Sequence, residues 1–400
     1  MRLGYKHEKD KIIANRYWTN TIQPLLNNGS LESAVEQKYS YPNRIGLYPG
    51  MTCQFFCSFC GRNYDARYDS KDIKRSFEVF KKVIDQDPKS DTAWRDRFRI
   101  SGGLEPLTNP FIGEIISYGN AQGFKMQMYT NGYALTPNFL QKQPGIFDLE
   151  MMRISLYGYD TDSYYRTTKN KKGYNIVVNN LKEFCKKVPH TNSKIKLGVN
   201  WIILPGHSDD LLPVFKMIKD INSVSDFKIS FITLREDFSN ENHYISNEER
   251  KKLHKIFLEI EKDTDIHIDY GYALHNVRHG IINGPIKMAT HEHMDGYGFP
   301  QVATAVDSLG NLYVYHESGF LERPGSERYI IGNVRNKTVE QIVRKHIDGN
   351  GIKPRPFDVG YLDAFDHTTT LLIHEATQYK NKGLDWKKEL EKKWKSHTQI

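Results

Sequence analysis

The chain has 400 residues, of which 38% are hydrophobic and 26% charged, and this composition excludes a disordered chain and predicts a substantial core. Lysine and arginine outnumber aspartate and glutamate by 56 to 48, but the excess is spread along the chain and gives little reason to expect a nucleic-acid partner. We find no apolar run of about 18 residues for a membrane span, no signal peptide, and too few cysteines for a disulfide scaffold. These features favour a cytoplasmic protein with reduced thiols and no membrane partner.

Residues 1–285 predict helices followed by a βα alternation. Residues 1–43 predict a helical N-terminal segment, and between 44 and 285 β-rich runs alternate with helical patterns, which is typical of a parallel sheet. Six such units predict an α/β fold with a partial (β/α)6 barrel. The predicted strands are 44–48, 97–101, 125–130, 151–157, 195–204 and 227–234, and the predicted helices are 71–86, 110–122, 136–142, 174–187, 209–220 and 246–262.

The pattern changes near the C-terminus. Residues 286–400 predict a small α+β extension that contains a hairpin over 301–317 and a helix over 338–347. Thr338 and Gln341 have the spacing of a capping box at the start of this helix. The sequence therefore predicts three parts: a helical lead-in, a barrel and a C-terminal extension.

A cluster of cysteines follows the first predicted strand. Cys53, Cys57 and Cys60 are three of the four cysteines in the chain, at spacings of four and three residues. Thiolate ligands suit iron–sulfur clusters and zinc. A structural zinc site needs four ligands, and no fourth Cys or His lies nearby, so we favour a [4Fe–4S] cluster with one open iron. A zinc site completed by Cys185 or by a distant histidine is the alternative.

The spacing C-x-x-x-C-x-x-C, with Phe59 before the third cysteine, resembles the signature of the radical S-adenosylmethionine (SAM) superfamily. This resemblance implies that the three cysteines act as metal ligands and catalytic residues. It also implies that the open iron binds SAM, and that one electron cleaves SAM to methionine and a 5′-deoxyadenosyl radical. A low-potential electron donor of the flavodoxin or ferredoxin type is implied as a partner.

Segments after the later strands resemble SAM-binding motifs of the same superfamily. SGGLEP (101–106) resembles a GGEP-like turn with Leu104 inserted, and its glycines would let the backbone approach a ligand. YTNG (129–132) and ISLYG (154–158) end the next two strands, and an asparagine lies in the fifth. Each of these segments also has an interpretation as a turn or a structural polar residue. The resemblance implies the cofactor-binding residues Phe59, Gly102, Gly103, Glu105, Asn131, Ser155 and Asn200.

Other charged residues near strand ends are candidates for substrate binding. Arg235 and Glu236 follow the sixth predicted strand, and we predict that they contact the substrate as catalytic residues, with a surface salt bridge as the alternative. Arg166 is predicted either to bind a carboxylate or to lie on the surface. His291 and His293 suggest a metal site, for which an exposed loop is the alternative.

Longer segments are similar to radical SAM lyases that deaminate nucleotide-linked amino-deoxysugars. They include SGGLEPLTNP, TLREDFSN and VDSLGNLYVYHESGF, and the likeness begins near residue 17 and runs past residue 330. It implies that a dTDP-linked 4-amino-4,6-dideoxyglucose is the substrate. Hydrogen would be removed from C3 and ammonia lost from C4, giving the 3-keto-4,6-dideoxy sugar.

The C-terminal extension resembles the SPASM/twitch region of radical SAM enzymes but lacks its cysteines. The remaining cysteine, Cys185, lies in a predicted helix and is interpreted as a small core residue. The sequence therefore predicts one cluster. A dehydrogenase or epimerase of a related nucleotide sugar, a peptide-modifying radical SAM enzyme and a zinc-stabilised binding module remain the alternative functions.

Overall fold

The computed structural model describes residues 18–61, 65–237, 244–282, 289–290, 293, 298–349 and 358–395. In these residues ten strands form one sheet in the order β10-β9-β8-β1-β2-β3-β4-β5-β6-β7. The strands are β1 (Arg44–Tyr48), β2 (Phe98–Ile100), β3 (Gln127–Thr130), β4 (Met151–Ser155), β5 (Lys196–Ile203), β6 (Ile229–Glu236), β7 (His267–Tyr270), β8 (Ala303–Asp307), β9 (Asn311–Tyr313) and β10 (Ile330–Asn333).

The α-helices follow the strands in alternation over most of the chain. They are α1 (Gln23–Asn27), α2 (Ser30–Val35), α3 (Ser70–Asp85), α4 (Ile112–Ala121), α5 (Pro137–Lys142), α6 (Thr161–Thr168), α7 (Gly173–Lys187), α8 (Leu211–Asn222), α9 (Asn247–Ile260), α10 (Tyr272–Arg278), α11 (Val339–Asp348), α12 (Ala364–Asn381) and α13 (Trp386–Lys395). In the part of the chain that is described, none of them has the length and apolar character needed to cross a lipid bilayer.

Strands β1 to β7 pair in parallel and in chain order, as the βα alternation predicts. Strand β5 is buried at every position after its first residue, which explains its almost continuous apolar sequence. The long helix α3 begins at Asp69, whose side chain accepts a hydrogen bond from the Lys71 amide at 2.9 Å. The prediction of an α/β fold with a parallel, barrel-like sheet is confirmed.

Three elements of the barrel region were absent from the sequence prediction. Strand β7 and helix α10 add a seventh βα unit to the six predicted. Strand β7 has the sequence HIDY, which is short and half polar, so it lacks the apolar run that identified the other strands. Helix α6 has the sequence TDSYYRTT and begins with a capping box between Asp160 and Ser163. It was missed because its sequence has too few apolar residues to show a helical pattern.

The C-terminal hairpin continues the sheet of the barrel. Strand β8 pairs in parallel with β1, and β9 and β10 follow in antiparallel order. The sheet therefore runs across the predicted boundary at residue 285. The capping box that we predicted for α11 is present, with Thr338 accepting a hydrogen bond from the Gln341 amide.

The N-terminal helices and the last two helices share a second apolar core. Trp18 and Leu31 from the start of the chain pack there with Leu372 and Trp386 from α12 and α13. The three predicted parts of the chain are thus held together by a common sheet and by this shared core.

Candidate functional site

A cavity of about 380 Å³ opens at the carboxyl ends of the barrel strands. This is the edge of a parallel α/β sheet at which ligands bind. Its walls come from β1 to β6, from the loops that follow them and from the C-terminal hairpin. The residues predicted from the sequence that line it are Cys53, Cys57, Phe59, Cys60, Gly102, Gly103, Glu105, Asn131, Ser155, Asn200 and Arg235.

The cysteine loop follows β1 and is fixed against the end of α6. The backbone amides of Phe56 and Ser58 donate to the carbonyls of Thr168 and Thr167 at 2.8 and 3.3 Å. Phe59 packs edge-on against Tyr157, with ring centroids 4.9 Å apart. All three cysteines of this anchored loop line the cavity.

The number of thiols at the cavity bears on the kind of metal centre. Cys53, Cys57 and Cys60 line the cavity, and Cys185 does not. Four thiolates complete a structural zinc site, whereas three hold a [4Fe–4S] cluster with one open iron. The arrangement therefore fits a three-thiolate iron–sulfur cluster better than a four-thiolate zinc site.

Glu105 ties the glycine-rich turn after β2 to the end of β3. One carboxylate oxygen accepts hydrogen bonds from the Thr130 hydroxyl and, at 3.0 Å, from the Leu107 amide, and the other accepts from the Asn131 amide at 2.8 Å. Burial raises the pKa of Glu105, and these three hydrogen bonds oppose that rise. The Asn131 side-chain amide lies 3.6 Å from the sulfur of Cys53, where it can donate to a thiolate.

The turn itself requires glycine. Gly102 and Gly103 have φ angles of +76° and +64°. A Cβ atom on Gly102 would lie 2.4 Å from the Tyr48 ring. The inserted Leu104 packs with Tyr68 and Ile73, so the insertion fills an apolar cluster and leaves the glycines facing the cavity.

Three polar side chains lie at one level across neighbouring strands. Ser155 on β4 pairs in register with Asn200 on β5, and Asn200 pairs with Thr233 on β6. All three line the cavity. Side chains in register on adjacent strands lie close enough to share one ligand. Sequence reasoning predicted the first two and missed Thr233.

The structure separates the predicted catalytic pair Arg235 and Glu236. Arg235 is exposed to the cavity and has no hydrogen-bond or ion-pair partner among the described residues. Glu236 is buried outside the cavity and pairs with Arg250 on α9 at 2.5 Å. Successive residues of a strand point to opposite faces, so the two cannot both face the cavity. The prediction that Glu236 contacts the substrate together with Arg235 is therefore corrected: only Arg235 faces the cavity.

We expect Glu236→Gln to lower the free energy of unfolding by about 3 kcal/mol, because it removes the negative charge that Glu236 places beside the buried Arg250. The catalytic rate per folded protein should stay unchanged; denaturant unfolding measures the first effect and a rate assay measures the second. Arg235→Gln is the matched variant, which should keep wild-type stability and lose catalytic rate. A slow but fully folded Glu236→Gln protein would restore Glu236 to the site.

The remaining candidates lie elsewhere. Arg166 pairs with Asp210 at 2.5 Å near the surface, as its alternative interpretation predicted. Cys185 is buried in α7, and burial raises the pKa of its thiol to about 12. His293 bonds Thr290, with its ring nitrogen 2.8 Å from the hydroxyl. His291 lies outside the described residues.

The structure adds residues that sequence reasoning missed. Arg44 and Arg99 line the cavity from inside β1 and β2, and His316, Glu317 and Asp363 line it from the C-terminal part of the chain. A charged residue inside an otherwise apolar strand is the signal that would have found the arginines.

Glu317 is the most perturbed carboxylate of this wall. Burial raises its pKa to about 7, and the guanidinium of Arg323, whose Nη1 is 3.8 Å from Oε2, opposes the rise. Next to it, His316 places its Nδ1 3.3 Å from Asp366 and 3.9 Å from Asp363. A carboxylate with a pKa near neutrality, facing a cavity, suits proton transfer.

Comparisons with known proteins agree with this geometry. The profile of the Radical SAM superfamily matches residues 47–218. The crystal structure of Streptococcus suis SuiB bound to S-adenosylmethionine has a TM-score of 0.51 at 14% identity, and the match covers 76% of this chain and 64% of SuiB. The chain therefore spans just under two thirds of the length of that structural relative. An AdoMet-dependent heme synthase from Methanosarcina barkeri is 23% identical over 181 residues, which are 45% of this chain and 48% of that enzyme. The chain belongs to the radical SAM superfamily, as its cysteine spacing predicted.

Within the superfamily the likeness to one curated enzyme extends much further. The dTDP-4-amino-4,6-dideoxy-D-glucose ammonia-lyase of Streptomyces venezuelae is 36% identical over 373 residues, which cover 90% of this chain and 76% of that enzyme. The aligned length is enough to include the barrel and most of the C-terminal extension. This is the kind of enzyme that the longer sequence segments resemble.

Proposed function

We propose that the protein is a radical SAM ammonia-lyase that converts dTDP-4-amino-4,6-dideoxy-D-glucose into dTDP-3-keto-4,6-dideoxy-D-glucose and ammonia. The observation that carries the proposal is one cavity lined by the three cysteines, by the glycine turn and by Arg235. The 36% identity to the ammonia-lyase, over 90% of the chain, supports this choice of substrate.

Cys53, Cys57 and Cys60 would hold one [4Fe–4S] cluster. A cluster with SAM supplies a 5′-deoxyadenosyl radical that removes a hydrogen atom from the substrate. The turn at Gly102–Glu105 and the polar side chains of Asn131, Ser155 and Asn200, which line the same cavity, would bind SAM. A flavodoxin or ferredoxin type of donor would supply electrons, and the cytoplasm keeps the thiols reduced.

Arg235 and Glu317, which also line the cavity, act on the sugar. Arg235 presents five donors, has no side-chain partner within the described part of the chain, and is suited to orient an oxygen-rich substrate. Glu317 accepts the proton of the C3 hydroxyl as the carbonyl forms, and passes it to the amine as the C4–N bond breaks and ammonia leaves. One electron from the donor and one proton then complete C4, so the atoms and charges balance.

The test is anaerobic incubation of the reconstituted enzyme with SAM, a low-potential reductant and dTDP-4-amino-4,6-dideoxy-D-glucose. We expect 5′-deoxyadenosine and ammonia to form in equal amounts, together with the 3-keto product. 5′-Deoxyadenosine without ammonia would favour a dehydrogenase, since the amine would then be retained. If neither forms with any nucleotide amino-sugar, the proposal is wrong.

A further inference from the structure

Three arginines inside the barrel have no ionic partner among the residues that the structure describes. Arg44, Arg99 and Arg153 lie on β1, β2 and β4, and none of them makes a salt bridge or a side-chain hydrogen bond to any residue that the structure describes. The Nε of Arg99, and the Nε and Nη1 of Arg153, are buried without a hydrogen-bond partner. Buried guanidinium groups normally have one, so these N–H groups lack an acceptor.

Aromatic rings take the place of carboxylates around these arginines. Arg44 lies over the ring of Phe365 at 3.9 Å, and Arg153 lies over Tyr129 at 5.1 Å and Phe231 at 5.2 Å. Such contacts hold a guanidinium in place but leave its charge and its donors in the ring plane free.

The arginines stand at the end of the cavity away from the thiols. Arg44 and Arg99 both line it, and Arg99 is in register with Gly46 of β1. The cysteine loop follows Tyr48, four residues beyond Arg44, which corresponds to about 13 Å along the strand. That distance leaves room for a sugar ring between the arginines and the thiols.

Placing three arginines close together costs free energy in the protein without a bound ligand. Burial, followed by repulsion from Arg44 and Arg153, lowers the pKa of Arg99 to about 9. Asp363 is within electrostatic range of Arg44 but forms no ion pair with it. An anion bound in the cavity between Arg44 and Arg99 would offset their mutual repulsion and accept hydrogen bonds from their guanidinium groups.

We propose that Arg44 and Arg99, with Arg153 beside them, form an anion subsite for the diphosphate of a nucleotide-linked sugar. This inference rests on the proposed function and adds to it the orientation of the substrate. The diphosphate lies at the arginine end of the cavity, and the sugar points toward the thiols, between Arg235 and Glu317.

The test compares Arg44→Gln and Arg99→Gln holoenzymes with wild type by calorimetric titration of inorganic pyrophosphate, dTDP and SAM. We expect at least about tenfold weaker binding of pyrophosphate and dTDP, with unchanged binding of SAM. Arg75→Gln, an exposed arginine on α3, is the charge-matched control and should bind all three normally. The melting temperature of Arg99→Gln should equal or exceed that of wild type, because the variant removes a buried, unpaired cation.

Two results would overturn the subsite. One is wild-type affinity for dTDP in both variants, and the other is selective loss of SAM binding, which would assign the arginines to the SAM carboxylate. If the wild type releases ammonia while the variants bind dTDP normally, the proposed lyase function stands and only the anion subsite is wrong. If wild type neither binds dTDP nor releases ammonia, the proposed function fails and the subsite with it.

Discussion

Replacing Cys57 with alanine is expected to abolish both cluster assembly and ammonia release. Cys57 is buried, and its carbonyl accepts a hydrogen bond from the Cys60 amide at 3.0 Å, so its thiol has a fixed position in the loop. Removing one of three thiolates leaves a cluster held by only two protein ligands. Iron and sulfide analysis after anaerobic reconstitution should fall from about four of each per chain to near zero. Cys53→Ala and Cys60→Ala should behave in the same way.

Cys185→Ala is the matched control for this experiment. Cys185 is also buried, but it lies in α7 among apolar side chains and does not line the cavity. Its loss should cost about 1 kcal/mol of stability by leaving a small void, while iron content and ammonia release stay at wild-type levels. A loss of iron in Cys185→Ala would revive a four-ligand site, and full iron content in Cys57→Ala would contradict the three-thiolate centre.

Local patterns in the sequence predicted most of the barrel. The apolar runs of β1 and β5 are buried in the sheet, and the structure assigns β1 the bounds 44–48 predicted for it. Strand β7 was missed because its four residues derive their strand geometry from pairing with β6 rather than from their own propensity. The pairing of β8 with β1 was also missed, since it joins residues more than 250 positions apart, and nothing in a local pattern encodes such a contact.

The site residues that were predicted belong to local sequence patterns, whereas those that were missed depend on contacts between distant parts of the chain. The cysteines and the glycine turn belong to short motifs, so their spacing is visible in the sequence. His316 and Glu317 reach the cavity because β8 and β9, which precede them, add to the barrel sheet at β1, and Asp363 reaches it from the start of α12. The prediction that Glu236 shares the site with Arg235 could have been avoided from the sequence alone. Neighbouring residues of a strand point to opposite faces of the sheet, so only one of the two can face the cavity.

Glu317→Gln is expected to slow ammonia release about 100-fold while leaving SAM binding and cluster content unchanged. Glutamine keeps the size and the hydrogen-bonding capacity of the side chain but cannot accept the hydroxyl proton, and general acid–base catalysis contributes about 10²- to 10⁴-fold. His316, Asp363, Arg235 and Arg323 are the charged or titratable groups that act on Glu317. Rates of ammonia release under saturating SAM and substrate measure the effect.

The pH profile separates a proton-transfer role from a structural one. Burial raises the pKa of Glu317 to about 7, and the carboxylate is the form that accepts a proton, so the wild-type rate should rise as pH increases through 7. Glu317→Gln should lose this rise, because it has no group to deprotonate there. Glu327→Gln, an exposed glutamate in the same segment, should keep both rate and profile. A slow Glu317→Gln enzyme that kept the wild-type rise would assign the titration to another group, such as His316, and would leave Glu317 with a positioning role only.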